Sequence, residues 1–267
     1  KQCYTLTNSR HGGCNSMIDT APYGDILAQQ AAAKEVQSVI SKQLFDNMLH
    51  VCDFGCGDGS VTEWWTKQAP YDETQPGVSY TKVSGIDLID RSIDKFDFTC
   101  GDIQNMPYKD NEFNLGWCHY SLQQLIDPVR GLVEMRRVMT DYSLLFLTVP
   151  QVLDTDYGRL KTRFNHHDKN FYSLPTLITH LAMAGWNCDK GYFLKKFNDR
   201  NIHAIVKPMK DWEEVNNPYS LNHAALQERG ALPECTHDMI KAKGYFDETC
   251  LLIPWMTGAL TNYGDRV

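Results

Sequence analysis

The stretch from His50 to Trp65, HVCDFGCGDGSVTEWW, constrains the fold more than any other part of the chain. A short apolar run, LHVCDFG, enters a turn where Gly55, Gly57 and Gly59 alternate behind Asp53, and SVTEWWTKQA continues with helical character, Ser60 standing near the helix start. Glycines at a strand-to-helix turn let the backbone come close to a ligand, and the helix N-terminus adds partial positive charge. The pattern then recurs. TKVSGIDL, KFDFTCGD, FNLGWCHYSL and SLLFLTVP read as strands, PVRGLVEMRRVM as a helix, and Pro150 closes the fifth strand. LPTLITHLAMAGW reads as a helix ended by Gly185, followed by two closing strands, CDKGYFLKKF and NIHAIVKP. The expected fold is α/β: a doubly wound, mainly parallel seven-stranded sheet with an antiparallel edge.

Outside this series, apolar residues from Ile26 to Leu49 fall at helical spacing, and the residues before them look irregular. Residues 1–45 are therefore expected to form a helical cap, 46–208 the sheet domain, and 209–267 an extension packed on the core. That extension carries nine acidic against five basic residues and holds Trp212, Tyr219, Trp255 and Tyr263.

Composition narrows the function. No apolar run approaches the roughly 18 residues that a membrane span needs. A formal charge of −7 repels a phosphate backbone, so nucleic acid is not an expected partner and small or amine-bearing molecules are. The chain opens KQCYTLTNSRHGG without the apolar core of a signal peptide, which suggests the cytoplasm. Nine cysteines, Cys3, Cys14, Cys52, Cys56, Cys100, Cys118, Cys188, Cys235 and Cys250, form no C-x-x-C pair and are best explained as buried reduced thiols. Three adjacent residues such as His166, His167 and Asp168 do not converge easily on a metal, and none is expected.

The glycine turn does not fit the dinucleotide fingerprint in either frame, because Ser60 or Thr62 stands where its third glycine belongs. A carboxylate at Asp53, where a pyrophosphate would be repelled, favours a ligand with an ammonium group.

At these residues the chain resembles the class I S-adenosylmethionine-dependent methyltransferases, in particular the small-molecule branch (type 11-like) with a DxGCGxG turn. The likeness continues through SGIDLID, CGDIQNMPYKDNEFNLGWCHYSLQQLIDP, VEMRRVM and NFYSLPTLITHLAMAGW, and covers about residues 46–208. It implies S-adenosyl-L-methionine as cofactor. The residues it implies for that role are Asp53, Gly55, Cys56, Gly57 and Gly59 of the turn, Asp87 for the ribose hydroxyls with Leu88 beside the adenine, Asp102 and Ile103 at the adenine amine, Cys118 in the segment facing the methyl group, and Tyr23 toward the methionine end. His119, at the carboxyl end of a strand, and His167, before the NFYSL segment, are candidate acid-base residues.

Three features depart from the family pattern, one of them DYSLLF at the fifth strand, where the family usually has a pGG turn. APYDETQPGVSYTK lengthens the connection to Asp87, and only IDRSID is left where a helix usually joins the second and third strands. The expected activity is methyl transfer to an oxygen or nitrogen of a small molecule. A macromolecular acceptor and a non-catalytic scaffold are the alternatives. The helix from Ile26, residues 151–170 and the aromatic tail are expected to form a lid over the acceptor, or else an oligomer interface.

Overall fold

The computed structural model describes residues 4–5, 49–67, 82–151, 168–196, 201–233 and 236–246. Its strands are β1 (Tyr4–Thr5), β2 (His50–Phe54), β3 (Lys82–Asp87), β4 (Ile89–Asp90), β5 (Asp97–Cys100), β6 (Phe113–His119), β7 (Met139–Pro150), β8 (Trp186–Lys196) and β9 (Asn201–Pro208). The helices are α1 (Ser60–Lys67), α2 (Pro128–Val138), α3 (Leu174–Met183), α4 (His223–Glu228) and α5 (Thr236–Lys243).

Seven strands form one sheet in the order β5-β3-β2-β6-β7-β9-β8. Its first five strands are parallel, and β9 runs antiparallel to both β7 and β8. The expected architecture is the one observed. Central strands such as VCDF and LLFLTV are buried throughout, as parallel strands covered on both faces must be.

The two faces hold separate apolar clusters. On one, Val61, Trp64 and Trp65 of α1 pack against Trp117, Phe146 and Ile205. On the other, Leu132 and Met135 of α2 and Leu177 and Leu181 of α3 pack against Phe54, Cys118 and Leu147. Each such buried leucine contributes about 1.5–3 kcal/mol through area removed from water. The helices begin where their sequences direct. Asp127 accepts from Arg130 N at 2.8 Å to cap α2, Ser173 accepts from Thr176 N at 3.3 Å to cap α3, and a proline follows close behind each cap. Gly185, at φ +82, ends the α3 segment.

The IDRSID connection contains no helix. It forms the short strand β4, which pairs in parallel with β1, and Ser92 takes φ +53. A strand pairing at Tyr4–Thr5 corrects the expectation that the first residues are irregular. Six residues are too few for a crossover helix, and the segment is tied by backbone pairing instead.

The start of the extension runs along the α2–α3 layer. Trp212 covers Gly185 so closely that a Cβ there would stand 2.7 Å from the indole, and Arg229 lies 5.0 Å over the Trp212 ring. Leu221, Leu226, Ala231 and Leu232 join the main core, and Tyr219 Oη donates to Asp127 at 2.8 Å. The expected helices between Ile26 and Leu49, Trp255, Tyr263 and residues 152–167 lie outside the described residues, apart from Leu49 at the mouth of β2.

Candidate active site

Strand order reverses around β2, with β3 on one side and β6 on the other, and the crevice at such a reversal is where open α/β sheets receive ligands. The glycine turn leaves β2 at that point. Gly55, Gly57 and Gly59 take φ values of +85, +56 and +78, a backbone path that favours glycine. Gly55 N and Cys56 N both donate to Ile86 O, at 2.8 and 3.1 Å, which pins the turn to β3. Two of the glycines are needed for packing as well. A Cβ on Gly55 would overlap the Ser121 hydroxyl, and one on Gly59 would lie 2.8 Å from the Phe96 ring. At Gly57 a Cβ would meet nothing within 4 Å, so this is the turn's open side.

Asp87 ends β3 beside the turn. Its Oδ2 accepts from Gly57 N and its Oδ1 from Ile89 N, both at 3.0 Å. Each oxygen keeps acceptor capacity for a further donor. Leu88 next to it is 43% exposed, an apolar side chain left uncovered at the end of the strand. Asp102 caps the short 3-10 turn at Ile103–Asn105, accepting from Gln104 N at 2.9 Å and from Gln104 Nε2. Ile103 is buried below it.

Asp53 differs from the other acids. Its side chain is 3% exposed, and the Thr62 hydroxyl of α1 donates to Oδ2 at 2.6 Å. Burial raises its pKa to about 7, against the lowering effect of that hydrogen bond. The carboxylate therefore ties β2 to α1 beneath the turn. Any influence on a ligand's ammonium acts through charge from below.

Cys118 is fully buried on the α2 face, and Cys56 is 7% exposed. Burial pushes both thiols up, as it does for Cys52, which leaves them poor nucleophiles and makes no redox pair of Cys52 and Cys56. The expectation of reduced thiols holds for the free, buried Cys52, Cys56, Cys118 and Cys188. It fails at Cys100, which is disulfide-bonded. Cys100 is the register partner of Asp87, and its sulfur lies 3.6 Å from the Leu88 carbonyl.

After β6 the chain turns sharply. Tyr120 takes φ +55, its N donates to Thr148 O at 3.0 Å, and its own carbonyl accepts from Gln123 Nε2 at 2.8 Å. Ser121 Oγ then reaches Gly55 O at 3.2 Å, joining this turn to the glycine turn. The Gln123 carbonyl accepts from Lys169 N and Asn170 N at 2.8 and 3.0 Å, bringing the segment before α3 to the same place.

The MPYKDNEF turn is held from α2. Glu134 Oε2 accepts from Met106 N at 3.0 Å, and Arg137 donates to Glu134, to Met106 O and to Tyr108 O. His119 ends β6 at the crevice and is half-buried. Tyr23 and His167 lie outside the described residues. Sequence reading missed Thr62, which looks like an ordinary helix residue, and did not assign Ser121 its buttressing role.

Comparison with known proteins agrees with this geometry. Residues 52–147 match the family model described as a methyltransferase domain. An uncharacterized methyltransferase of Schizosaccharomyces pombe is 31% identical over 178 residues, covering 58% of this chain and 58% of that protein, so the chain spans little more than half of that relative's length.

Among solved structures, a SAM-dependent methyltransferase of Archaeoglobus fulgidus superposes with TM-score 0.51 at 15% identity, covering 69% of this chain and 95% of that one. The Haloferax volcanii putative methyltransferase complex with the Trm112 activator gives 0.52 at 12% identity, with 70% and 98% covered. The cyclase SpnF gives 0.50 at 18%, with 68% and 83% covered, so the fold is shared by different activities. The fold is that of the class I S-adenosylmethionine-dependent methyltransferases. Residues 52–147 match a methyltransferase domain, which implies S-adenosylmethionine as the cofactor.

The residues present fit that cofactor. An open glycine backbone at Gly57, a carboxylate with spare acceptor capacity at Asp87 and an exposed apolar side chain at Leu88 are the features it needs.

Proposed function

We propose that this chain is an S-adenosylmethionine-dependent methyltransferase acting on an oxygen or nitrogen of a small molecule. The observation that carries the reading is the open glycine turn with Asp87 at the end of the adjoining strand. When bound, the cofactor supplies a methyl group that its sulfonium already makes electrophilic.

The chain's own residues then bind, orient and exclude water. Asp87 would hold the ribose hydroxyls, Leu88 and Ile103 would flank the adenine, Asp102 would face its amine, and the backbone of Gly55, Cys56, Gly57 and Gly59 would receive the methionine end. Asp53 would supply negative charge beneath an ammonium. His119 would line the acceptor side together with the Tyr120–Ser121 turn. Alignment and desolvation account for most of the rate in such a transfer, because donor and acceptor need only meet in line.

The chain's charge of −7 supports a small or amine-bearing acceptor over nucleic acid. For location, four free buried thiols suit the cytoplasm and a paired Cys100 suits an oxidising compartment. Alkylation of the native protein followed by mass spectrometry decides, since a Cys100 that resists alkylation until reduction speaks against the cytoplasm.

Calorimetry tests the cofactor reading. S-adenosylhomocysteine is expected to bind saturably, and NAD is not. Saturable binding of NAD alone would overturn it.

A further inference from the structure

The disulfide at Cys100 stands beside the residues proposed above for ribose and adenine. Cys100 closes β5 and is the register partner of Asp87, its sulfur lies 3.6 Å from the Leu88 carbonyl, and Gly101 N donates to Asp87 O at 2.9 Å. Asp102 follows two residues later. A bond made here is anchored among both acids and the exposed leucine.

Its partner follows from elimination and from register. Cys52, Cys56, Cys118 and Cys188 are free, which leaves Cys3, Cys14, Cys235 and Cys250. The chain on either side of Cys235 belongs to the other edge of the sheet, because Ala231 O accepts from Cys188 N of β8 at 3.0 Å and Thr236 N donates to Pro233 O at 3.2 Å. β8 and β5 are the two edge strands, six spacings of about 4.8 Å apart, or about 29 Å. Phe246, four residues before Cys250, packs on His223 at 4.9 Å, and His223 Nε2 lies 3.5 Å from Thr179 Oγ1 of α3. That helix touches β8 in turn, its Ile178 carbonyl lying 3.6 Å from Cys188 Sγ. Four residues reach at most about 14 Å, so Cys250 also starts from the β8 half of the molecule.

Cys3 starts beside the target. Tyr4 of β1 is in register with Ile89 and Thr5 with Asp90. One residue back along both parallel strands sets Cys3 opposite Leu88, whose carbonyl meets the Cys100 sulfur. Beyond Thr5 a parallel strand carries the chain away from Leu88, in the direction of Cys14.

We propose that Cys3 and Cys100 form this disulfide, and that it is a redox-sensitive clasp holding β1 against the ribose and adenine end of the cofactor site. The clasp's effect on the cofactor rests on the methyltransferase reading above. Two strands of two residues each are too short to hold together by themselves, so the bond is what keeps β1 beside Leu88. A dithiol opens it. One thiolate of the dithiol attacks a sulfur of the pair, and the S–S bond breaks with its electrons leaving on the other sulfur, which takes a proton. The dithiol's second sulfur then displaces the first protein sulfur, closing its own disulfide and leaving two protein thiols that have gained two electrons and two protons between them.

Two measurements on the full chain test this. The protein, prepared without reductant, is alkylated, digested with trypsin and mapped by mass spectrometry. Cleavage after Lys1, Arg10, Lys95 and Lys109 leaves Cys3 in residues 2–10 and Cys100 in residues 96–109, each with one cysteine. These two peptides are expected joined, and separated by reduction. A Cys100 alkylated as a free thiol, or joined to Cys14, Cys235 or Cys250, overturns the inference.

Calorimetry with S-adenosylhomocysteine is then run on the oxidised protein, on the same protein after dithiothreitol, and on Cys3→Ser. Reduction and Cys3→Ser are each expected to lower affinity about tenfold, as when one molecule in ten keeps the binding arrangement, and dithiothreitol is expected to change nothing further in Cys3→Ser. Reduced protein that binds within about twofold of the oxidised form overturns the clasp, and this comparison survives a variant that does not fold. If the oxidised protein does not bind S-adenosylhomocysteine at all, the methyltransferase reading fails, and the peptide map still decides the pairing.

Discussion

Asp53 is the residue where folding and ligand binding pull against each other. Its folded pKa of about 7 lies above the ordinary value of 3.8, so between these pH values the native state holds a proton that the unfolded chain has released. By linkage, stability falls as pH rises from about 4 to about 7 and stays lower above that, by up to about 4 kcal/mol for a shift of this size. Asp53→Asn removes the ionisation and keeps an acceptor for Thr62. Thermal denaturation is expected to show the variant's stability flatter across that window and higher at pH 8, and a profile parallel to the parent's would refute the account. Asp87 ends β3 beside the open side of the glycine turn. Asp87→Ala is expected to weaken S-adenosylhomocysteine binding by about 1.5–3 kcal/mol, read by calorimetry.

At the scale of elements, the glycine turn separates fold from function. Gly55 meets Ser121 and takes φ +85, so Gly55→Ala is expected to cost about 1–2 kcal/mol from backbone strain alone, with the overlap adding to it. Gly57 also has positive φ but faces open space. Gly57→Ala is therefore expected to fold with a smaller loss of stability while losing most S-adenosylhomocysteine affinity, because its methyl occupies the open side. Chemical denaturation and calorimetry on the two variants separate these effects.

The helix α2 makes a similar division. Its Glu134 is 7% exposed and satisfies Met106 N, so Glu134→Ala is expected to cost about 1–3 kcal/mol by stranding that donor. A denaturation midpoint equal to the parent's would mean the turn is held by Arg137 alone.

Over the whole molecule, the start of the extension is part of the core. Leu221 and Leu226 are buried there, and each leucine lost from such a place costs about 2–5 kcal/mol. Ending the chain at Pro208 is thus expected to destabilise the sheet domain by several kcal/mol, seen as a large fall in melting temperature. A truncated protein that melts like the parent would return residues 209–233 to the surface.

The parallel sheet, its antiparallel edge and the glycine turn were legible in the sequence, because periodicity and glycine spacing act over a few neighbouring residues. The strands that carry Asp87 and lead to Asp102 were legible for the same reason, while the part these acids take in a site came from the family resemblance. Only the tertiary structure decided the rest. Thr62 beneath Asp53, Ser121 against Gly55, Thr148 beside His203 and the disulfide at Cys100 depend on which strands lie side by side, and Ser121–Gly55 and Thr148–His203 join residues 66 and 55 positions apart. Local sequence carries no record of such a meeting. It is set by register across the sheet, which follows from burying both faces at once.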